Sequence, residues 1–242
     1  MSKHEEITET LTRDILIGQY RVGERLPSER DLAARFEGNR GAVREAMKKL
    51  EQLGIADIQP GGALVAPLDE ASLDVIGYLL ALDQAPDRNL VDQILVVIST
   101  LVETAALLAV ERVNDAELEA LRQLIRPLWV EQLDEEAYMN ARMGMISGFM
   151  NSSGNLPVRL IAHTLIMQFV PQMEPLQGYW NLDIDTHKEL ARKLDEAVSS
   201  RDLERVRSVF KDFSELNRQQ VIRAFNAFEA AHQPANLEVV AS

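Results

Sequence analysis

Residues 5–66 switch from a helical to a strand period within a span too short for two cores, and this limits the fold more than any other feature. Ile7, Leu11, Ile15 and Leu16 lie on one helical face, and Gly18 ends that helix. Leu26-Pro27-Ser28-Glu29-Arg30-Asp31 opens a second, short helix reaching about Phe36, with Ser28 as N-cap and Asp31 as its acidic third position. Glu37-Gly38-Asn39 reads as a turn, and Asn39 suits the cap of a third helix over 40–53. Gly54 closes that helix as a left-handed C′ residue. The period then becomes two: residues 55–59 and 63–65 read as short strands around Pro60-Gly61-Gly62. Three helices followed by a hairpin is the layout of a winged helix-turn-helix.

Beyond Pro67 the pattern is helical throughout. A short amphipathic helix is expected over 74–82, then a break at Ala85-Pro86-Asp87. Asn89 is expected to cap a long helix over about 90–113, apolar nearly all round and therefore buried. Asn114-Asp115 starts a helix reaching about Leu133 that Pro127 should kink. Further helices are expected over 135–151, 156–173, 185–198 and 202–231. Ser152-Ser153-Gly154-Asn155 separates two of them, and 174–182 is the longest irregular connection. The fold class is thus mostly α with one small β-hairpin. The expected division is a winged helix-turn-helix over 1–68, a linker with a short helix over 69–88, an all-α bundle over 89–233 and a flexible tail over 234–242.

Charge sharpens that division. The net charge of −13 divides as −1 over residues 1–66 and −12 over the remainder, so the first domain is free to gather basic residues on one face. Val43, Ala46, Met47 and Leu50 fall at i, i+3, i+4 and i+7 and form the core face of the third helix. Arg40, Arg44 and Lys48 recur every fourth residue on a different face. A helix fits the major groove of B-DNA, where arginine bonds guanine O6 and N7 or a phosphate. Gly41 and Ala42 carry almost no side chain, so the N-terminus of this helix can approach DNA closely. Against this stands a merely solvated face, with Glu29 and Glu45 as ion-pair partners.

Other function classes fit less well. The chain has no Cys, and its four His (His4, His163, His187, His232) form no metal-binding pair. There is no Gly-rich phosphate loop and no nucleophile elbow, so no catalytic residue is assigned and an enzyme is not expected. A helical scaffold or adaptor would account for the bundle but not for Arg30, Arg40 and Arg44. The start Met1-Ser2-Lys3-His4-Glu5-Glu6 lacks signal-peptide character. Ser99, Thr100, Glu103 and Thr104 interrupt the apolar run over 94–108, so a cytoplasmic protein without a membrane span is expected.

The stretches Leu26-Pro27-Ser28-Glu29-Arg30-Asp31-Leu32-Ala33, Asn39-Arg40-Gly41-Ala42-Val43-Arg44-Glu45-Ala46-Met47-Lys48-Lys49-Leu50-Glu51 and Gly54-Ile55 resemble the DNA-binding domain of the GntR family of bacterial transcription regulators. The second domain looks like the helical ligand-binding domain of the FadR subfamily. There Leu101-Val102-Glu103-Thr104-Ala105-Ala106-Leu107-Leu108-Ala109 resembles the first long helix, and Ser153-Gly154-Asn155 the helix break. The resemblance implies a repressor that binds a double-stranded DNA operator as a homodimer under the control of a small-molecule effector. It puts the DNA contacts at Arg30, Asn39, Arg40, Gly41, Ala42 and Arg44, with backbone contact from the wing at Gly61 and Gly62. Two departures stand out. Asn39 replaces the family's usual Ser or Thr, and Gly41 and Ala42 lack its hydroxyl donors. The wing tip Gln59-Pro60-Gly61-Gly62 lacks the basic or His residue often seen there.

Many relatives bind a metal through an Asp and three His. The positions matching that set are Arg142, Ile146, Ala191 and Phe213, which cannot hold a divalent ion, so no metal and no cofactor are expected. FadR-type members without the metal bind long acyl-CoA thioesters. Met145, Ile146, Phe149, Ile166 and Phe169 flank the Ser-Gly-Asn break and would suit a flexible apolar ligand, or simply form a bundle core. Phe213-Ser214-Glu215-Leu216 does not reproduce the positions that hold the CoA end. Arg142 and Arg159 are candidate carboxylate partners. A long-chain fatty acid, its CoA ester and a small polar organic acid all stay open as effectors. His163 is expected to be hydrogen-bonded within the bundle rather than a ligand.

Overall fold

In the computed structural model, which describes residues 2–232, the first helix begins two residues earlier than its apolar face suggests. Ser2 and Glu5 form a reciprocal capping box: the Ser2 hydroxyl accepts from the Glu5 amide while the Glu5 carboxylate accepts from the Ser2 amide. This helix, α1 (Lys3–Leu16), is followed by α2 (Glu29–Arg35) and α3 (Arg40–Gln52), whose caps are Ser28 and Asn39 as expected. In the turn between α2 and α3 it is Glu37, not Gly38, that takes the left-handed conformation. Ile7, Leu11, Leu32, Val43, Ala46 and Leu50 are almost completely buried and join the three helices around one core. Asp14, also buried, receives Arg35 at 2.8 Å and ties α1 to α2.

The end of α3 determines where the hairpin goes. Gly54 adopts φ +69°, its amide donates to Glu51, and the Ile55 amide donates to the Leu50 carbonyl at 3.1 Å. This is a Schellman closure with Leu50 and Ile55 both buried beneath it. The chain reverses into β1 (Ala56–Gln59), which pairs antiparallel with β2 (Gly62–Val65) in the register Ala56↔Val65 to Gln59↔Gly62. Pro60-Gly61 fills the turn, with Gly61 at φ +99°. Residues 23–26 run along the far edge of β2: Gly23 and Leu26 amides donate to Val65 and Ala63, and Arg25 bridges to Leu64. A 3-10 turn at Leu68–Glu70 and α4 (Val75–Leu80) complete this unit.

The described residues form two compact units, 2–87 with Gln168–Gln172 and 88–167 with 173–232. The segment over 69–88 therefore groups with the winged domain up to Asp87. The flexible tail expected over 234–242 lies outside the described residues.

The second unit is helical. It comprises α5 (Arg88–Arg112), α6 (Asp115–Ile125), α7 (Pro127–Val130), α8 (Glu135–Ser152), α9 (Leu156–Phe169), α10 (Ile184–Ser199) and α11 (Leu203–His232). Four expectations need correction. Helix α5 starts at Arg88, so Asn89 lies in its first turn and is not its cap. Nor is α5 buried all round: Val91, Ile94, Val102, Ala105, Ala106, Ala109 and Val110 face the core, while Val96 and Val97 are exposed. It has the length and apolar composition of a membrane span, but in the structure it packs against α8 and α11. The helix begun at Asn114 does not merely kink at Pro127; it ends at Ile125 and restarts as the separate α7, because proline at the first helical position has no amide to give. Helix α9 stops at Phe169, ahead of Pro171 and short of the expected Met173, and residues Val170–Tyr179 wind as 3-10 helix into the stretch over 174–182 expected to be irregular.

Charged side chains lock the bundle. Arg201, itself at φ +53°, donates to the Val110 and Val113 carbonyls at 2.7 and 2.8 Å and satisfies the end of α5. Arg218 grips Asp92 with two bonds of 2.7 and 3.0 Å, joining α11 to α5. Buried Asp195 accepts from Arg122 at 2.6 Å.

Gly54 and Gly23 both have positive φ, but a Cβ at Gly54 would lie 2.8 Å from the Glu70 carbonyl oxygen, whereas at Gly23 it would meet open space. Gly23→Ala should cost about 1 kcal/mol from backbone strain, and Gly54→Ala about 2 kcal/mol or more. Urea denaturation of the two variants checks this; equal losses would refute the role given to the Gly54 closure.

Candidate functional site

Two groups of side chains merit a functional reading, one in each unit. In the first, burial of Val43, Ala46, Met47 and Leu50 fixes the rotation of α3 about its axis. Arg40, Arg44 and Lys48 consequently face solvent, and Asn39 and Gly41 are exposed at the helix N-terminus. The Asn39 side chain accepts from the Ala42 amide at 2.8 Å, so its carbonyl oxygen is committed to the cap while its amide group stays free. Arg30 on α2 is 81% exposed, with Asp31 as a 3.5 Å neighbour.

Arg44 is not free. Its Nε lies 2.9 Å from both carboxylate oxygens of Glu29, which holds the guanidinium pKa above its usual value. Lys48 similarly meets Glu45 at 2.9 Å. The ion pairs foreseen for a solvated face therefore form, and they also hold the arginine in one place above the end of α2.

The wing contains a residue that sequence reasoning missed. Arg25 donates to the Gly61 carbonyl, and a Cβ on Gly62 would lie 2.8 Å from its Nη1. The wing tip has no basic residue of its own, but the edge strand supplies one beneath it. The signal was unreadable locally, since Arg25 and Gly61 are brought together only by pairing along β2. Between wing and α3 lies a groove of ≈ 610 Å³ lined by Arg25, Ser28, Glu29, Arg44, Lys48 and Gln59 among others. Arg30, Asn39, Arg40, Gly41, Ala42 and Arg44 cluster on α2 and α3, and Gly61 and Gly62 are exposed on the hairpin.

In the second unit α8 carries Arg142, Met145, Ile146 and Phe149, of which Met145 and Phe149 are buried in the bundle core with Ile146 packed against it. Ile166 is half-buried and Phe169 buried, but neither belongs to that core cluster. Arg159 is exposed on α9, and so is His163, which is not bonded inside the bundle as expected. Arg142, Ile146, Ala191 and Phe213, the four positions weighed above against a metal site, are a cation and three apolar groups.

Around Arg142 the structure gathers residues that periodicity did not single out as a group. Tyr138, one turn before it on α8, and His187 on α10 are fully buried with ring centroids 5.6 Å apart. His187 Nε2 and the Gln220 side-chain oxygen on α11 are 3.3 Å apart. Burial pushes the Tyr138 hydroxyl up to about 12. Burial, aided by the Arg142 charge, pulls His187 down to about 4. Arg142 is itself lowered by burial. This much desolvation with so few partners marks a functional candidate.

His187 has a consequence for stability. Its folded pKa lies below the 6.5 of an unperturbed imidazole, so between pH 6.5 and 4 the unfolded chain binds more protons than the folded one. The full contribution is present above pH 6.5 and is lost as pH falls, by about 3 kcal/mol at pH 4. Denaturant melts from pH 7 to 5 should show this slope in the natural protein and its reduction in His187→Asn; identical slopes would contradict the assignment.

Comparison with known proteins bears on the whole chain. Residues 3–65 match the family model described as bacterial regulatory proteins, gntR family. The chain is 29% identical over 215 residues to the HTH-type transcriptional regulator Mce2R of Mycobacterium tuberculosis, covering 88% of each. It is 26% identical over 145 residues to the galactonate operon transcriptional repressor of Escherichia coli, covering 58% of this chain and 62% of that one. Among solved structures, E. coli McbR/YncC aligns with a TM-score of 0.53 at 20% identity over 93% of this chain and 100% of that chain, a likeness of fold. Residues 3–65 thus match the gntR family model, and the chain, a winged helix-turn-helix followed by a helical domain, is similar over most of its length to an HTH-type transcriptional regulator.

Proposed function

We propose that this protein is a cytoplasmic, FadR-type repressor that binds its operator as a homodimer and is released by a small-molecule effector. The observation that carries the DNA-binding part is the free N-terminal end of α3. Arg40, Arg44 and Lys48 point to solvent around the nearly bare Gly41, while the opposite face of the same helix is held in the core. Arg40 and Arg44 read base edges or phosphates, Arg30 and Asn39 add contacts beside them, and Ala42 leaves room for the groove wall. The wing, braced by Arg25, offers the Gly61 and Gly62 backbone to the flanking phosphates.

One recognition helix spans only a few base pairs, so useful specificity calls for two half-sites and a two-fold dimer. Supporting a dimer surface on the bundle, Leu156, Leu160 and Met167 form an exposed apolar stripe on α9, each more than half accessible. The effector is an acid or acyl thioester with an apolar body that enters near Met145 and Phe149. It acts only by binding the DNA-competent and DNA-incompetent states unequally. The similarity to a named repressor supports repression as the output.

Arg40→Ala and Arg44→Ala should each weaken operator binding roughly tenfold or more, without unfolding, because neither touches the buried face of α3. Fluorescence anisotropy on DNA from the gene's own upstream region checks this, and unchanged affinity in both variants would refute the recognition-helix assignment. For assembly, sedimentation at micromolar concentration should give a dimer that Leu160→Glu converts to monomer. A monomeric natural protein, or an unaffected variant, would count against α9 as the contact.

A further inference from the structure

The wing tip Gln59-Pro60-Gly61-Gly62 carries no charge of its own, yet the fold sets one there. Arg25, on the edge that runs beside β2, donates from Nη1 to the Gly61 carbonyl. Its stem passes under Gly62, where a Cβ would lie 2.8 Å from Nη1 and 3.6 Å from Cδ. Only a bare residue leaves room for that path, and Gly62 at φ +143° has a backbone that other residues rarely adopt. Residues 25 and 62 thus specify a single feature: a guanidinium seated at the tip of the hairpin.

This guanidinium has capacity left. Arg25 is exposed and forms no ion pair among the described residues. A guanidinium has several N–H donors and Gly61 takes one, so a fork for an anion remains. Three cations line the ≈ 610 Å³ cleft between α3 and the wing, and the other two are engaged: Arg44 with Glu29 and Lys48 with Glu45, each at 2.9 Å. With α3 in the major groove, the hairpin beside it reaches across one sugar-phosphate chain toward the adjoining minor groove. That chain runs into the cleft, and the lining cation with no carboxylate to displace is Arg25. Tethered at Gly61, its guanidinium stays beside the chain and does not extend to a base edge. Buried Leu26, Leu32, Met47 and Ala63 also line the cleft, an apolar surface that suits the sugars.

We propose that Arg25 is a phosphate-binding residue of the wing, which grips the DNA strand passing between α3 and the hairpin and adds affinity without sequence preference. It does what a basic side chain at the tip would do, from a position 36 residues before Gly61. Arg40 and Arg44 select the sequence, and Arg25 holds the backbone. This contact rests on the reading of the first unit as a DNA-binding head and gives a side chain to a role that the glycine backbone would otherwise fill alone.

The test uses the full chain and fluorescence anisotropy at about 50 to 200 mM salt. Two duplexes of equal length serve as probes, one from the gene's own upstream region and one with that sequence scrambled. Removing one phosphate contact makes the slope of log K against log salt concentration shallower by about 0.9, which at about 0.1 M salt is a loss of roughly eightfold in affinity. Arg25→Gln, which has a donor for Gly61 but no charge, should show both changes, equally on the two duplexes. Arg25→Lys, which keeps the charge, should retain the natural slope. Arg40→Ala should instead narrow the difference between the duplexes. Unchanged affinity in Arg25→Gln, a loss with the natural slope (a brace for the hairpin only), or a loss confined to the upstream duplex (a base contact) would each overturn the proposal. Natural protein that binds neither duplex at about 50 mM salt defeats the regulator reading and this contact with it. Natural protein that binds both, with Arg25→Gln indistinguishable from it, defeats this contact alone.

Discussion

The packing of Val43, Ala46, Met47 and Leu50 against α1 is the contact on which the first unit depends. A helix has one rotation about its axis that buries such a stripe, and choosing it places Arg40, Arg44 and Lys48 outward. Leu50 then acts twice, as a core side chain and as the carbonyl that receives the Ile55 amide in the Schellman closure. That closure reverses the chain into the hairpin, and the hairpin draws residues 23–26 alongside as an edge. The position of Arg25 under the wing is thus a distant result of how one helix meets another.

The bundle treats buried polarity in two ways. Around Asp195 the charges are matched and bonded, a network that costs little once complete. Around His187 the groups are present but short of partners, which an uninterrupted apolar core would avoid. A fold that retains such a deficit on three converging helices is less stable than an apolar equivalent would be. The depressed basicity of His187 and the raised Tyr138 report the same dryness from two directions.

Much of the fold was legible because its signals are local. Ser28 and Asn39 cap helices, Gly54 ends one, and the change to a two-residue period marks the hairpin. The core face of α3 and the basic stripe beside it follow from spacing alone, and so did the exposed DNA-facing candidates. The misses arose where the outcome depends on what lies across from a residue. Val96 and Val97 look like core by composition, yet face away from the neighbours of α5. Prolines 127 and 171 were visible, but whether such a residue bends a helix or ends it depends on what can satisfy the freed carbonyls. Arg25 and Gly61 meet through strand pairing, and Tyr138, Arg142, His187 and Gln220 meet only when three helices assemble. Neither grouping has a period that a linear reading could detect.

Glu29 gives the proposed reading head a property that its charge does not convey. A guanidinium waving in water gains from any phosphate it meets, so it binds all DNA alike. Arg44 already has a carboxylate 2.9 Å from its Nε, so an anion that takes that edge of the guanidinium must displace it. That exchange gains less than filling an empty site would, so random DNA is favoured less by this arginine than by one without a partner. A site that presents two acceptors in the plane of the guanidinium, as a guanine edge does, tips the exchange decisively. The glutamate thus acts as a resident competitor, setting the threshold that a sequence must exceed to be recognised.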